Sequence, residues 1–429
     1  MRILMLTHTY PPLLGGIERH VRTLSVELVR RGHSVAVVTL GDGQLPTRDT
    51  DAGVRVYRLR GSVHRLERLL FSHPGRSYSP PIADPEITWQ LRAIISDEQP
   101  AIVHAHNWMV HAFLPLKRWS DARLVVTLHD YGMVCARWNF IRDGEPCGGP
   151  SPQACLPCGA RHFGAAKGIP TVALGWLSSR WAWAEVDRFL AVSRAVAVGN
   201  QLAEHDAPHE VVPNFLGDLV VDPATAADPR LAALPTAPFM LFVGALARAK
   251  GVDTLLSAYA RAGAVRPMPP LVLIGYATGD YMLTPEQLPP GVTVIKDLPN
   301  ELVMVAWQRS LFGIVPSIWQ EPCPTVAMEA MACGRALIGS RVGGLPDLID
   351  DRRTGLLVPP GAVGALAQAM AILVNDPDLC ARFGEAGRKR VATFRASTVV
   401  ERIETIYTQL LGQMPAEQAE LVQEAEIRT

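Results

Sequence analysis

The sequence has no excess of charge of either sign, with 41 Lys plus Arg against 41 Asp plus Glu in 429 residues. No basic stripe interrupts that balance, so nothing electrostatic recommends nucleic acid as a partner. Long apolar runs are also missing. The opening stretch Ile3-Leu4-Met5-Leu6-Thr7 is too short for a secretory h-region and has no cleavage site. No run of about 20 apolar residues is present to span a bilayer; the nearest, Ile169 to Val186, is broken by Pro170, Arg180 and Glu185. These absences predict a cytoplasmic protein, with peripheral contact at the inner membrane face left open. Cysteine is scarce too. Seven in a chain read as cytoplasmic argue against a disulfide framework.

Hydrophobic residues make up 48% of the chain and charged ones 19%, the composition of a protein with substantial cores. The length suggests two domains of roughly 200 residues each. Through the first half, short β-branched runs alternate with amphipathic stretches: Arg2–Thr7, Ser34–Leu40, Val54–Leu59, Ala101–Ala105, Arg123–Leu128, Phe189–Val192 and Glu210–Val212. A second series follows at Phe239–Val243, Leu271–Gly275, Val292–Ile295, Leu311–Val315 and Ala336–Gly339. Between them, Phe215 to Pro238 is rich in Asp, Ala and Pro and reads as a linker. Strands alternating with helices predict an α/β fold of two doubly wound parallel sheets. The expected division is 1–220 with a Cys-rich insertion at 131–165, then 221–395, then a helix and tail at 396–429. The last helix should run from about Thr398 to Leu411, before a Glu- and Gln-rich tail. Such folds bind ligands at the carboxyl ends of their strands and in the cleft between domains.

The segment Pro316-Ser317-Ile318-Trp319-Gln320-Glu321-Pro322-Cys323-Pro324-Thr325-Val326-Ala327-Met328-Glu329 carries the most chemistry. It reads as a strand end, a loop bearing Glu321, and a helix starting near Pro324. A helix start offers free N–H groups and a positive dipole end to a diphosphate, here through Thr325 and Val326. The loop carboxylate can accept hydrogen bonds from sugar hydroxyls, and Glu329 can reach those of a ribose.

This arrangement resembles the family-4 glycosyltransferases, which have the two-domain GT-B fold and a Glu-x7-Glu signature. The segments Gly339–Asp347, Thr354–Gly361 and Val243-Gly244 through Lys250-Gly251-Val252-Asp253 are similar to that family's later and phosphate-loop segments. Gly15-Gly16-Ile17-Glu18-Arg19 resembles its glycine-rich first loop, and His129-Asp130 its histidine after a strand. The resemblance implies a retaining, metal-independent hexosyltransferase, with a UDP-, GDP- or ADP-sugar as donor and a glycan, lipid-linked or small-molecule acceptor, as in polysaccharide biosynthesis. It implies that Glu321 contacts the donor sugar, Glu329 the ribose, and Lys250 the leaving diphosphate. His129 would orient or stabilise the sugar, and Gly15, Gly16 and Glu18 would line the diphosphate approach. One departure stands out: the family's Gly-Arg-Leu is Gly244-Ala245-Leu246 here, and Arg248 is the expected substitute. An Arg248→Ala variant with undiminished turnover would remove that expectation.

Plainer readings accompany each residue. Glu321 and Glu329 could be surface carboxylates, Lys250 a solvated helix-entry lysine, and His129, like His104 and His106, a satisfied strand-end histidine. Asp49-Thr50-Asp51 and Asp376-Pro377-Asp378 lie in turn-like surroundings and are not expected to hold a catalytic metal. Cys135, Cys147, Cys155 and Cys158 fall in a loop rich in Gly, Pro and Arg, the last two spaced to meet one ion from a tight turn. Four thiolates suit a structural zinc; reduced thiols or an iron–sulfur site stay open. Cys323, Cys333 and Cys380 read as single thiols. Leu174 to Trp183 concentrates aromatics on a helix that either packs on its own sheet or lies at a membrane interface. Two other functions fit the same architecture, a nucleotide-sugar epimerase and a non-catalytic binding protein.

Overall fold

The computed structural model describes residues 1–12, 15–41, 43–62, 81–217, 225, 227–277, 281 and 283–412. The Glu- and Gln-rich tail, and residues 218–224 and 226 of the expected linker, lie outside them.

The first sheet comprises β1 (Arg2–Leu6), β2 (Ser34–Leu40), β3 (Arg48–Asp51), β4 (Val54–Leu59), β5 (Ile102–His106), β6 (Arg123–Leu128), β9 (Arg188–Ala191) and β10 (His209–Val211), with β7 (Ile141–Arg142) and β8 (Glu145–Pro146) forming a separate small hairpin. Its order is β10-β9-β6-β5-β1-β2-β4-β3. Every pairing is parallel except β3 with β4. The central strand explains the unbroken apolar run at the N-terminus: Ile3 to Leu6 are no more than 2% exposed, because helices cover both faces.

Strand β3 corrects the turn read at Asp49-Thr50-Asp51. It is an antiparallel edge strand, and its carboxylates are occupied by cations. Arg22 and the Tyr10 hydroxyl bind Asp51 at 2.7 and 3.1 Å, and Arg58 binds Asp49 at 3.2 Å. Asp376 likewise caps the helix Pro377–Arg390 through the Leu379 N–H.

The second sheet contains β11 (Met240–Val243), β12 (Leu271–Ile274), β13 (Val292–Ile295), β14 (Phe312–Val315), β15 (Ala336–Ser340) and β16 (Gly355–Val358), all parallel, in the order β13-β12-β11-β14-β15-β16. Counted from its own first strand, that is 3-2-1-4-5-6, the dinucleotide-binding order. Strand β16 was not anticipated as a strand. Nor is the described part of the linker featureless: Pro229–Ala233 forms a helical turn that buries Leu231 and Leu234.

The helix Ala396–Leu410 returns to the first sheet, where Val400, Ile403 and Tyr407 pack with Ile3, Met5 and Val125. The Tyr407 hydroxyl lies 2.6 Å from His104 Nδ1, and the other ring nitrogen lies 2.7 Å from Thr127 Oγ1. Burial holds the His104 imidazole down to about 3, so the ring is neutral and structural.

The Cys-rich insertion is half loop and half helix. After the β7–β8 hairpin, Ser151 caps a helix running from Pro152 to Phe163, and Gly164 turns the chain into the long helix Ala165–Glu185. Cys155 and Cys158 therefore stand one turn apart on a helix, not in a tight turn. Among the described residues, no helix is long and apolar enough to cross a membrane.

Candidate active site

In a 3-2-1-4-5-6 sheet, the connections leaving the first and fourth strands diverge to opposite faces and open a crevice at their carboxyl ends. Here those strands are β11 and β14. The chain leaving β11 carries Gly244 and Lys250, and the chain leaving β14 carries Glu321 and the helix Thr325–Ala332. Topology alone brings together residues 71 apart in sequence.

Lys250 Nζ lies 2.5 Å from Glu321 Oε1. The other carboxylate oxygen accepts from Ser317 Oγ at 2.8 Å and Trp319 Nε1 at 2.7 Å. The ammonium also lies 5.3 Å from the Trp319 ring centre, near enough for cation–π attraction. Both loops are laced together, since Ile318 donates its N–H to the Ala249 carbonyl. Gly251 makes that approach feasible: its φ is +76°, and a Cβ there would stand 1.9 Å from the Pro316 carbonyl oxygen. Behind Glu321, Gly344 donates to its backbone carbonyl at 2.7 Å. The side chain is only 7% exposed, and both carboxylate oxygens are engaged by Lys250, Ser317 and Trp319.

No side chain caps the helix Thr325–Ala332, so the first N–H groups, those of Thr325 and Val326, are free for an anion. Glu329 lies one turn in, 5% exposed, and accepts from Asn300 Nδ2 at 3.2 Å. Burial pushes its carboxyl up, against the opposing pull of the Asn300 amide and the Arg19 charge. Arg19 stands in the first turn of the helix Gly16–Arg30, across the cleft. It is exposed and was not among the expected site residues. Arg248, the expected substitute for the missing loop arginine, is 72% exposed and placed against Asp253 at 3.4 Å rather than with Lys250.

On the facing domain, Gly15 and Gly16 open the helix Gly16–Arg30 at the end of β1. Glu18 folds back beside Gly15, where a Cβ would meet its Oε2 at 2.3 Å, and its other oxygen accepts the Thr9 hydroxyl. His129 follows β6 and lies 3.0 Å from His106 Nδ1. Its backbone N–H goes to Asn107 Oδ1 at 2.9 Å. Burial lowers its imidazole to about 3, so it is a neutral ring. His20, His106 and His129 approach within 4.8 Å of one another, a grouping without any sequence signal because it joins one helix to two strands. Asn214 links this side to the donor side by donating to the Cys323 carbonyl at 3.1 Å.

A further feature escaped the sequence reading. At the carboxyl ends of β5 and β6 lies a pocket, partly open to solvent, whose walls include Trp108, Trp138, Trp176, Met133 and Asp130. Asp130 accepts from Asn107 Nδ2 at 2.9 Å and from the Gly132 N–H at 2.8 Å. Burial nevertheless pushes its carboxyl up to about 7. Folding thus favours the protonated acid relative to the ordinary value of 3.8. The protonated form's contribution to stability is present at low pH and is lost as the pH rises from about 4 to about 7. Melting the protein and Asp130→Asn between about pH 5 and about pH 8 is expected to show wild type losing stability relative to the variant as pH rises. A pH-independent difference would mean that Asp130 titrates normally.

Comparison with known proteins follows the same division. A family model described as Glycosyltransferase Family 4 matches residues 14–216, and one described as Glycosyl transferases group 1 matches residues 225–390. A glycogen synthase of Mycobacterium tuberculosis is 26% identical over 95% of this chain and 94% of its own. A D-inositol 3-phosphate glycosyltransferase of Arthrobacter is 29% identical over 87% of this chain and 84% of its own. Among solved structures, sucrose-phosphate synthase from Thermosynechococcus elongatus superposes with a TM-score of 0.73 over 96% of this chain and 99% of that one, at 23% identity.

Proposed function

The chain belongs to the family-4, group 1 glycosyltransferases and is a nucleotide-sugar-dependent transferase of the GT-B fold, and from that premise we propose how its own residues divide the reaction. The nucleotide sugar occupies the crevice between β11 and β14. Its diphosphate lies at the free N–H groups of Thr325 and Val326 beside Lys250, its ribose at Glu329, and its hexose against Glu321. The observation that carries this reading is the Lys250–Glu321 pair, 2.5 Å apart at the topological switch point beside an uncapped helix start.

Transfer then needs mainly the departure of an anionic diphosphate, which preorganised positive groups stabilise. Lys250 supplies one. Because Ala245 stands where the family has arginine, Arg19, reaching across the cleft, is the better placed second cation, and Arg248 the poorer. Retention follows when the departing phosphate takes the acceptor proton on the face it leaves. His129, neutral and hydrogen-bonded to His106, positions the sugar without adding charge. No step calls for a metal.

The tryptophan-walled cavity beside Asp130 suits an acceptor with an apolar or sugar-ring face. Relatives named for a glucan and for an inositol phosphate bracket its range, from polymer to small molecule. A lipid-linked acceptor has one supporting feature: the helix Ala165–Glu185 leaves Leu177 67%, Ile169 46% and Trp181 41% exposed, as an interfacial helix would. Absence of liposome flotation at every lipid composition would remove that membrane reading.

The donor assignment is tested by thermal shift against UDP, GDP, ADP and their hexose conjugates. A bound donor at 100-fold excess over Kd adds about 2.7 kcal/mol of stability, and one base is expected to stand out. A panel that leaves the melting temperature unmoved would overturn the assignment.

A further inference from the structure

The four cysteines of the insertion come from three local pieces, yet all line one cavity. Cys135 sits in the turn after Asp130. Cys147 follows the β7–β8 hairpin, anchored by its N–H to the Phe140 carbonyl at 2.6 Å. Cys155 and Cys158 project from one face of the helix Pro152–Phe163. None is engaged in a disulfide.

Backbone groups stand within hydrogen-bonding reach of two of these sulfurs. The Ser151 N–H donates to Cys155 Sγ at 3.4 Å, and Cys147 Sγ donates to the Gly149 carbonyl at 3.5 Å. Arg142 adds a positive charge beside Cys155. Three non-glycine residues of this stretch, Trp138, Phe140 and Asp143, hold left-handed conformations with φ of 60°, 50° and 54°. Strain of that kind persists only where the surroundings over-determine it. A buried thiol needs no such turn; a sulfur held in place for a metal uses both the turn and a donor such as the Ser151 N–H.

The helix is fixed independently. It packs so closely on Ala165–Glu185 that a Cβ at Gly168 would stand 2.0 Å from the Gly159 carbonyl oxygen. One wall is therefore rigid, while the hairpin wall has little core of its own.

We propose that Cys135, Cys147, Cys155 and Cys158 bind a single zinc ion that joins the hairpin to this helix. Each thiol releases its proton to solvent as its sulfur enters the coordination shell. Tetrahedral Zn–S bonds of about 2.3 Å place neighbouring sulfurs about 3.8 Å apart. Among the described residues, no three of these sulfurs lie within 4.8 Å of one another, so binding draws them together and closes the insertion around the ion. Cys135 and Cys155 also line the tryptophan-walled cavity, so this closure sets the shape of that wall while leaving the β11–β14 crevice untouched.

Elemental analysis of the full-length purified chain should find one zinc per chain and no iron. Cys135→Ser and the double variant C155S/C158S should each lose it, while Cys380→Ser should keep it. Zinc removed with a thiol reagent and replaced by cobalt should give the intense thiolate-to-cobalt absorption of a tetrathiolate site. Metal removal should also shift the tryptophan fluorescence and expose the insertion to protease, while the thermal shift given by a nucleoside diphosphate persists. A folded chain with near-zero zinc, iron with labile sulfide, or zinc retained in C155S/C158S would each overturn the proposal. The cobalt spectrum of the wild-type chain decides the matter even if a variant fails to fold.

Discussion

Lys250→Ala is expected to lower turnover by about 100- to 1000-fold, the range for losing one preorganised electrostatic contact to a developing anion. Two effects act in the same direction. The departing diphosphate loses its nearest cation. The Glu321 carboxylate also loses the partner 2.5 Å away while Ser317 and Trp319 still hold it in place. A fixed negative charge then faces the leaving group. Arg248 offers little relief, because it is turned to Asp253 and mostly exposed, and Ala245 offers none. Lys250→Arg should recover only part of the loss, since a planar guanidinium does not reproduce a compact ammonium wedged between Glu321 and the Trp319 ring. Steady-state transfer or donor hydrolysis measures the effect. Turnover within about threefold of wild type would show that Lys250 carries no charge in the transition state.

Much of this site could be read from the residues because it is built from local signals. Lys250, Glu321, Thr325 and Glu329 stand at strand ends and a helix start, where periodicity and turn residues mark the boundaries. The rest depends on packing between distant elements. Asp130 differs from an ordinary strand-end carboxylate only because burial beside the cavity pushes it up to about 7. Arg19 comes near Glu329 because the helix Gly16–Arg30, in whose first turn it lies, faces Glu329 across the cleft. Strand β3, with the sequence Arg-Asp-Thr-Asp, has almost no apolar residue to alternate; hydrogen bonding to β4, not propensity, makes it a strand. The helix Pro152–Phe163 was hidden by the opposite problem. It begins with proline, contains Pro157 and Gly159, and carries two cysteines, so its composition imitates a loop. Its Ser151 cap and Pro152 at the first position were the available signals.

Glu321→Ala is expected to reduce turnover by a similar order, about 100-fold or more, and its combination with Lys250→Ala is the sharper experiment. The carboxylate performs two tasks: it faces the donor sugar, and it fixes the ammonium. Removing it leaves Ser317 and Trp319 without their acceptor and Lys250 without the carboxylate that holds it. If the pair acts as one device, Lys250→Ala should cost little more in a chain already carrying Glu321→Ala, because the ammonium's placement is already lost. The double variant should then fall near the worse single variant, well short of the product of the two effects. Multiplicative losses would instead mean that the two residues act independently. In that event the 2.5 Å contact would be a resting-state neutralisation of two charges, broken when the donor arrives. Glu321→Gln separates the cases further. It keeps the shape and one acceptor oxygen for Trp319 but removes the charge that holds Lys250. Turnover close to that of Glu321→Ala would assign the residue's importance to charge, and turnover close to wild type would assign it to hydrogen bonding with the sugar.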